Sequence, residues 1–163
     1  MKDMIIRAAE PSDAQAVQAI YAQPHAYAGT LQLPYPSQQM WQCRMDKPAE
    51  GYHNLVAIVD GKLVGQLGLS TIANPRRKHT ANFGMGVCQT VLRQGVGSAL
   101  LKAALDMCDN WLAVTRVELE VYTDNDAAIA LYKKHGFVVE GEHKQSAFRD
   151  GGYVDVFSMA RVR

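Results

Sequence analysis

The sequence predicts one α/β domain of the α+β kind, in which helices cover both faces of a mixed, mostly antiparallel sheet of seven strands. Three observations carry that expectation. Seven segments have strand patterning, tight-turn residues stand at Asp60-Gly61 and Asp150-Gly151-Gly152, and one long apolar helix separates the fourth strand from the fifth. The turns impose antiparallel pairing on their neighbours, whereas the helix is a crossover that makes strands four and five parallel. A chain of 163 residues, taken as one domain over 1–163, can bury about two-thirds of the surface its unfolded form exposes.

The elements follow in order. Met4 to Ala8 reads as the first strand. Pro11, Ser12 and Gln15 form a helix-start signal in which hydroxyl and amide cap each other's backbone donors, and Val17, Ile20 and Tyr21 supply the buried stripe. From Pro24 to Pro36 the prolines and Gly29 break regular structure, and a second helix is expected at about Gln38 to Met45. Leu55 to Val59 and Leu63 to Thr71 make a hairpin, because Asp60-Gly61 between them favours the positive φ of tight turns. A second hairpin closes at Asn74 to Lys78 and leads into the strand Thr80 to Cys88. Helices over Gly95 to Trp111 and Asn125 to His135 flank the strand Arg116 to Tyr122. Strands at Phe137 to Phe148 and Tyr153 to Ala160 complete the sheet, with no repeat, linker or low-complexity tract in the chain.

Composition excludes several classes of partner. Seventeen basic and sixteen acidic residues leave a net charge of +1, too little for a broad field toward nucleic acid or an anionic membrane. Cys43, Cys88 and Cys108 are odd in number and lack CxxC spacing, which fits reduced thiols in a cytoplasmic protein. Met1 to Arg7 alternates charged and apolar residues without a run of signal-peptide length, and no segment reaches the ~20 apolar residues of a membrane span. Five dispersed histidines and three separated cysteines give no metal-ligand spacing.

The chemistry concentrates between Asn82 and Tyr132. In Asn82-Phe83-Gly84-Met85-Gly86-Val87 two glycines interrupt a strand, which fits either a barrel-like corner or the close approach of a ligand. Leu92-Arg93-Gln94-Gly95-Val96-Gly97-Ser98 follows, and its free N–H groups at a helix start suit a pyrophosphate. Neither familiar nucleotide fingerprint is present, because Ser98 and Ala99 stand where a P-loop needs Lys-Ser or Lys-Thr, and Leu100 where a dinucleotide turn needs a small residue. Val96, Leu100, Leu101, Ala104, Leu105 and Cys108 then form a core stripe. Asn125 and Tyr132 lie two turns apart on one helical face, roughly 10 Å along the axis. Asn125 can cap the helix or bind a ligand amide, and Tyr132 can pack or donate a proton.

Asn125, Ala128, Leu131, Tyr132, Gly136 and Phe137 reproduce the second half of the signature of the GCN5-related N-acetyltransferase (GNAT) superfamily, which the chain resembles. Nearly its whole length is similar to bacterial L-amino acid N-acyltransferases of that superfamily, including Ala22-Gln23-Pro24, Thr30-Leu31-Gln32, Pro75-Arg76-Arg77, Met107 to Leu112 and Tyr153-Val154-Asp155. The resemblance implies a GNAT-type sheet whose parallel fourth and fifth strands splay apart to admit acetyl-CoA. Its pantetheine amides would pair with the backbone of Met85, Gly86 and Val87, and its pyrophosphate would sit on N–H groups from Leu92 to Ser98. Asn125, Ala128 and Tyr132 are also assigned to the carrier. Leu92 departs from the superfamily's Gln or Arg, so weaker side-chain support is expected there, with Arg93 a partial substitute.

The implied reaction is direct attack of a neutral primary amine on the thioester, with a backbone N–H near Val87 polarising the carbonyl. Tyr132 is the expected acid, its ordinary pKa of ~10 set against ~8.5 for a thiol. The base is less defined, because Asn82 stands where some small-amine acetyltransferases carry Glu. Glu118 and Glu120 share one face of the fifth strand and are candidates through water, and otherwise structural. His79 is a further candidate, beside an Arg76-Arg77-Lys78 cluster that is either a solvated turn or an attractor for a carboxylate.

Tyr27, Thr30, Gln32, Tyr35 and Asn82 are expected to border the amine, a free L-amino acid or close analogue. Polyamine, antibiotic and protein N-terminal amines are alternatives, and a non-catalytic acyl-CoA-binding module is a rival of another class. The last hairpin, with Tyr153, Val154, Val156 and Phe157, offers a surface for a homodimer.

Overall fold

The computed structural model describes residues 3–163, so Met1 and Lys2 of the opening charged–apolar alternation lie outside the described residues. Seven strands form one sheet: β1 (Met4–Ala8), β2 (Tyr52–Val59), β3 (Lys62–Thr71), β4 (Thr80–Val87), β5 (Arg116–Tyr122), β6 (Val138–Arg149) and β7 (Gly152–Val162). Their order is β1-β2-β3-β4-β5-β7-β6, and every neighbouring pair is antiparallel except β4–β5. The expected seven-stranded, mostly antiparallel sheet and its parallel fourth and fifth strands are therefore present. The helices are α1 (Ala14–Tyr21), α2 (Pro24–Ala28), α3 (Gln38–Asp46), α4 (Val96–Asn110) and α5 (Asp126–Lys134).

Two buried clusters show the layers. The six predicted residues of α4, from Val96 to Cys108, are buried against Leu67, Leu69, Val117 and Phe137 on one face. Ala14, Val17, Ile20 and Tyr21 of α1 pack with Trp41 of α3 and Val56 on the other. Gly65 lets α4 cross the sheet closely, since a Cβ there would meet Leu100 Cδ1 and Val96 Cγ1 at 3.0 Å.

Three local expectations are corrected. Pro24 to Pro36 is not wholly irregular, because Pro24 opens α2 at the first helical position, where its missing N–H is harmless. The capping box belongs to the 3-10 turn Pro11–Asp13 that leads into α1, where Asp13 Oδ2 accepts the Glu10 N–H at 2.8 Å, rather than to Ser12 and Gln15. Asp13 is itself gripped by Arg7, so the first strand and first helix share one anchor. The fourth strand ends at Val87, and the long helix begins at Val96 after Gly95.

Arg161 on β7 holds Asp109 on α4 through a fork of bonds at 2.9 and 2.8 Å, with Arg163 at 3.0 Å. The Arg161 hydrogen bonds keep the Asp109 carboxyl below its ordinary 3.8. A depressed folded pKa means that this stabilisation is full above the ordinary value and is lost as pH falls through the lower folded one. Asp109→Asn should therefore lower the thermal midpoint at pH 7, and the gap to wild type should close on acidification below about pH 4. A gap that stays constant across this range would exclude the ionised pair as its source.

Candidate active site

β4 and β5 pair only at Thr80–Arg116, Ala81–Val117 and Asn82–Glu118. Beyond Asn82 they diverge, while β5 stays paired with β7 through Tyr122. The edge of β4 from Phe83 to Val87 is thus left without a sheet partner. Gly86 pairs with Gln66 of β3, and the Cys88 N–H donates to Val64 O at 2.7 Å. Antiparallel alternation then sends the polar groups of Gly86 toward β3 and those of Met85 and Val87 toward the open edge. The Val87 carbonyl is already engaged by His25 Nε2 at 2.7 Å, which ties α2 to the end of the strand.

Gly86 has a different purpose from the one its place in an opened strand suggests. A Cβ on it would lie 2.9 Å from the Tyr21 ring, which is buried and stacked on Trp41. The glycine makes room for an aromatic side chain rather than for a ligand. Gly86→Ala should lower stability by about 1–3 kcal/mol through overpacking, read from chemical denaturation midpoints. A Tyr21→Ala background should absorb the added methyl. A Gly86→Ala variant as stable as wild type would return the glycine to the ligand.

The loop from Leu92 leads into α4 through two residues at positive φ, Arg93 at 62° and Gly95 at 86°. The first intrahelical bond runs from Ala99 N–H to Gly95 O, which leaves the N–H groups of Val96, Gly97 and Ser98 free at the positive end of the helix. Leu92, Arg93, Gln94 and Gly95 are exposed around them. A Cβ on Gly97 would touch Leu131 Cδ2 at 3.4 Å and Met85 Cε at 3.5 Å, so the helix start, α5 and the open edge converge there. Free donors beside an unpaired strand edge suit a chain carrying both phosphate and amide groups. The Ser98 hydroxyl is bonded to His135 Nε2 at 2.9 Å, which leaves its backbone N–H for an anion.

α5 positions the tyrosine. Asn125 is its N-cap, with Oδ1 accepting the Ala128 N–H at 3.2 Å. At the far end the Phe137 N–H bonds Tyr132 O and the Gly136 N–H bonds Lys133 O, both at 3.1 Å, while Gly136 takes φ 91°. This Schellman arrangement brings Phe137 back onto Tyr132. The two rings meet edge to face at 5.9 Å, and Phe83 contacts both, at 5.7 Å from Tyr132 and 6.0 Å from Phe137. The Tyr132 hydroxyl has no hydrogen-bond partner among the described residues. Burial pushes its pKa up to about 12, so it is a proton donor throughout the physiological range.

A cavity of about 590 Å³ lies in the splay, bordered by Asn82, Gly84, Met85, Glu118, Glu120 and Tyr132. Thr30 and Gln32 also reach it. The Thr30 carbonyl accepts from Tyr122 OH at 2.8 Å, which fixes the loop over β5. Tyr27 and Tyr35 do not line it: Tyr27 is taken up in α2, and Tyr35 stands 97% exposed. Arg76 and His79 also stand outside it. Glu118 Oε1 accepts from Arg77 at 3.0 Å and from Arg116 Nε at 2.8 Å, whereas Glu120 is exposed and unpaired among the described residues. Gly84, one of the two glycines read as interrupting the strand, and Tyr21, read only as core, also border the cavity.

A mixed sheet split beside a donor-lined helix start, with a tyrosine across the opening, defines an acyl-transfer fold. The chain belongs to the acetyltransferase (GNAT) family, whose model matches residues 15–137. It is 48% identical over 164 residues, the whole of both chains, to the L-amino acid N-acetyltransferase AaaT of Escherichia coli K12. Among solved structures it is similar to a GNAT-family acetyltransferase from Streptococcus pneumoniae, with a TM-score of 0.85 and 26% identity over 99% of this chain and 100% of that one. It also shares the fold of the Vibrio cholerae spermidine N-acetyltransferase solved with CoA and spermine, with a TM-score of 0.85 at 23% identity over 98% and 95% of the two chains. Among the described residues no helix is long and apolar enough to cross a membrane, and no cluster of metal-ligating side chains occurs.

Proposed function

We propose that this acetyltransferase acts on the α-amine of a free L-amino acid, with acetyl-CoA as donor. The observation that carries the reading is an open β4 edge that borders one cleft with Tyr132 and that also meets, at Met85, the start of α4 with its three free N–H groups. The full-length similarity to the E. coli enzyme supports the amino-acid substrate. When bound, acetyl-CoA supplies an activated thioester carbonyl. The backbone of Met85 and the Val87 N–H hold its amide-bearing arm along the edge, and the N–H groups of Val96, Gly97 and Ser98 hold its phosphates.

The chain's own groups divide the proton traffic. Glu120 accepts the amine proton through water, because its carboxylate is free while Glu118 Oε1 is held by two guanidinium groups. Glu118 serves to orient Arg77 and Arg116 at the mouth of the splay. Tyr132 donates to the departing sulfur, and the backbone at the end of β4 polarises the carbonyl. Asn82, on the shared wall of the cleft, orients the amine.

A panel of L-amino acids, polyamines and peptides with acetyl-CoA, read by released thiol, tests the substrate class. Turnover with L-amino acids above that with polyamines and peptides is expected. Tight CoA binding with no thiol release from any amine would favour a binding module instead. The unpaired cysteines are consistent with a cytoplasmic setting. The exposed Phe148 and Tyr153, packed edge to face at 5.1 Å on the last hairpin, support association of two copies there, which sedimentation would measure.

A further inference from the structure

The cleft has a second lobe. A cavity of about 440 Å³ adjoins the one in the splay and shares Tyr21, Gln32, Asn82 and Gly84 with it. Gly84 stands at the passage, since a Cβ on it would meet nothing within 4 Å. The two lobes differ sharply in charge. Glu118 and Glu120 line the larger one, with no Lys or Arg among its lining residues. Arg44 and Lys47 line the smaller one, with no Asp or Glu. Neither cation is ion-paired among the described residues, and the Arg44 guanidinium is steadied over the Trp41 ring, 4.9 Å from its centroid.

The floor of the smaller lobe is directional. Tyr21 OH donates to Gln66 Oε1 at 2.5 Å. The Gln66 amide then gives its hydrogens to Asn54 Oδ1 at 2.8 Å and to the Tyr52 oxygen at 3.3 Å. Gln66 is 2% exposed, and the orientation of its amide in the structure satisfies all three partners. The groups left over at the ends of this network are the Tyr52 hydroxyl proton and the Asn54 NH₂, both donors. Burial also raises the Tyr52 pKa, which keeps that proton in place. Two cations and two donors thus face one cavity without a carboxylate, a set that matches a carboxylate ligand and opposes a second ammonium.

We propose that the smaller lobe binds the carboxylate of the substrate, so that a zwitterion lies across the passage at Gly84 with its amine on the Glu120 side. The proposal rests on the amine-acetylation reading and adds the feature that selects amino acids over plain amines and polyamines. An amine without a carboxylate forgoes the charge-assisted bonds to Arg44 and Lys47 that a zwitterion makes, and so binds less well. Arg44 and Lys47 are specificity residues here and take no part in bond making.

The test compares kcat/KM for one L-amino acid and its carboxamide in wild type, Arg44→Gln and Lys47→Gln. Wild type should prefer the acid, and each variant should lose about 10- to 100-fold on the acid, mainly through KM, while changing less than about 2-fold on the amide. Both side chains are exposed, and melting curves matching wild type should confirm intact folds. Equal losses on acid and amide, or no loss on either, would overturn the carboxylate assignment. Wild-type protein that acetylates neither compound would instead overturn the amine-acetylation reading, and this assignment with it.

Discussion

Tyr132→Phe should lower turnover by about 10²- to 10⁴-fold while leaving acetyl-CoA affinity within about a factor of two. The substitution removes one oxygen and keeps the ring, whose edge contacts with Phe83 and Phe137 hold α5 against β4. The ordinary phenol value suggests a mildly uphill proton transfer to a leaving thiolate. Burial changes that comparison: a phenol at about 12 against a thiol near ~8.5 makes complete transfer roughly 5 kcal/mol uphill. In the proposed mechanism Tyr132 thus donates a hydrogen bond to sulfur as the C–S bond breaks, and its proton follows only as the amine gives its own to Glu120 through water. Because the raised pKa keeps the hydroxyl protonated, its ionisation should not limit the rate below about pH 11. An unchanged kcat at saturating substrates in Tyr132→Phe would remove the residue from the acid role.

What the sequence made legible, and what it did not, follows from how local each feature is. The crossover between β4 and β5, the apolar stripe of α4 and the run from Asn125 to Phe137 are written in adjacent residues, and periodicity or a contiguous signature exposes them. Gly136-Phe137 is legible in a second way, since glycine after a helix and an apolar residue beyond it form one local stop signal. Gly86 was obscured because its reason lies on α1, in a tyrosine 65 positions earlier whose ring fills the space a Cβ would need. Pro24 misled in another way, because the same residue that ends a helix interior also begins a helix at its first position.

The second lobe was beyond reach for a related reason. Its donors come from α3, the residue just after it and β2, and two of them are held by a β3 side-chain amide bonded to a tyrosine 45 residues earlier. Asn82, which lacks the acid that a simple base mechanism requires, acquires a place on the wall shared by both lobes. The demand for a base passes to Glu120, on the strand that diverges from β4, and the demand for a cation passes to Arg44. Each lines a lobe that Asn82 also borders, and sequence spacing alone relates neither to it.

Phe137→Ala should cost about 3–5 kcal/mol of stability, which lowers the melting temperature of a chain of this size by roughly 6 to 20 °C. Phe137 is 1% exposed and sits where β4, α5 and β7 meet, so its removal leaves a cavity that a short loop cannot collapse to fill. The same residue ends α5, because its N–H closes the Schellman bond to Tyr132 O and its ring braces the Tyr132 ring. Alanine keeps the backbone bond and removes the brace. Well below its melting point, Phe137→Ala should therefore also lose kcat, as Tyr132 swings in the widened space, whereas Phe137→Leu should recover most of both properties. Thermal melts paired with kcat at a temperature where both variants are folded separate the two effects. A large loss of stability with kcat intact would mean that Phe83 alone holds the tyrosine on target. A melting temperature within about 2 °C of wild type would remove Phe137 from the centre of the core.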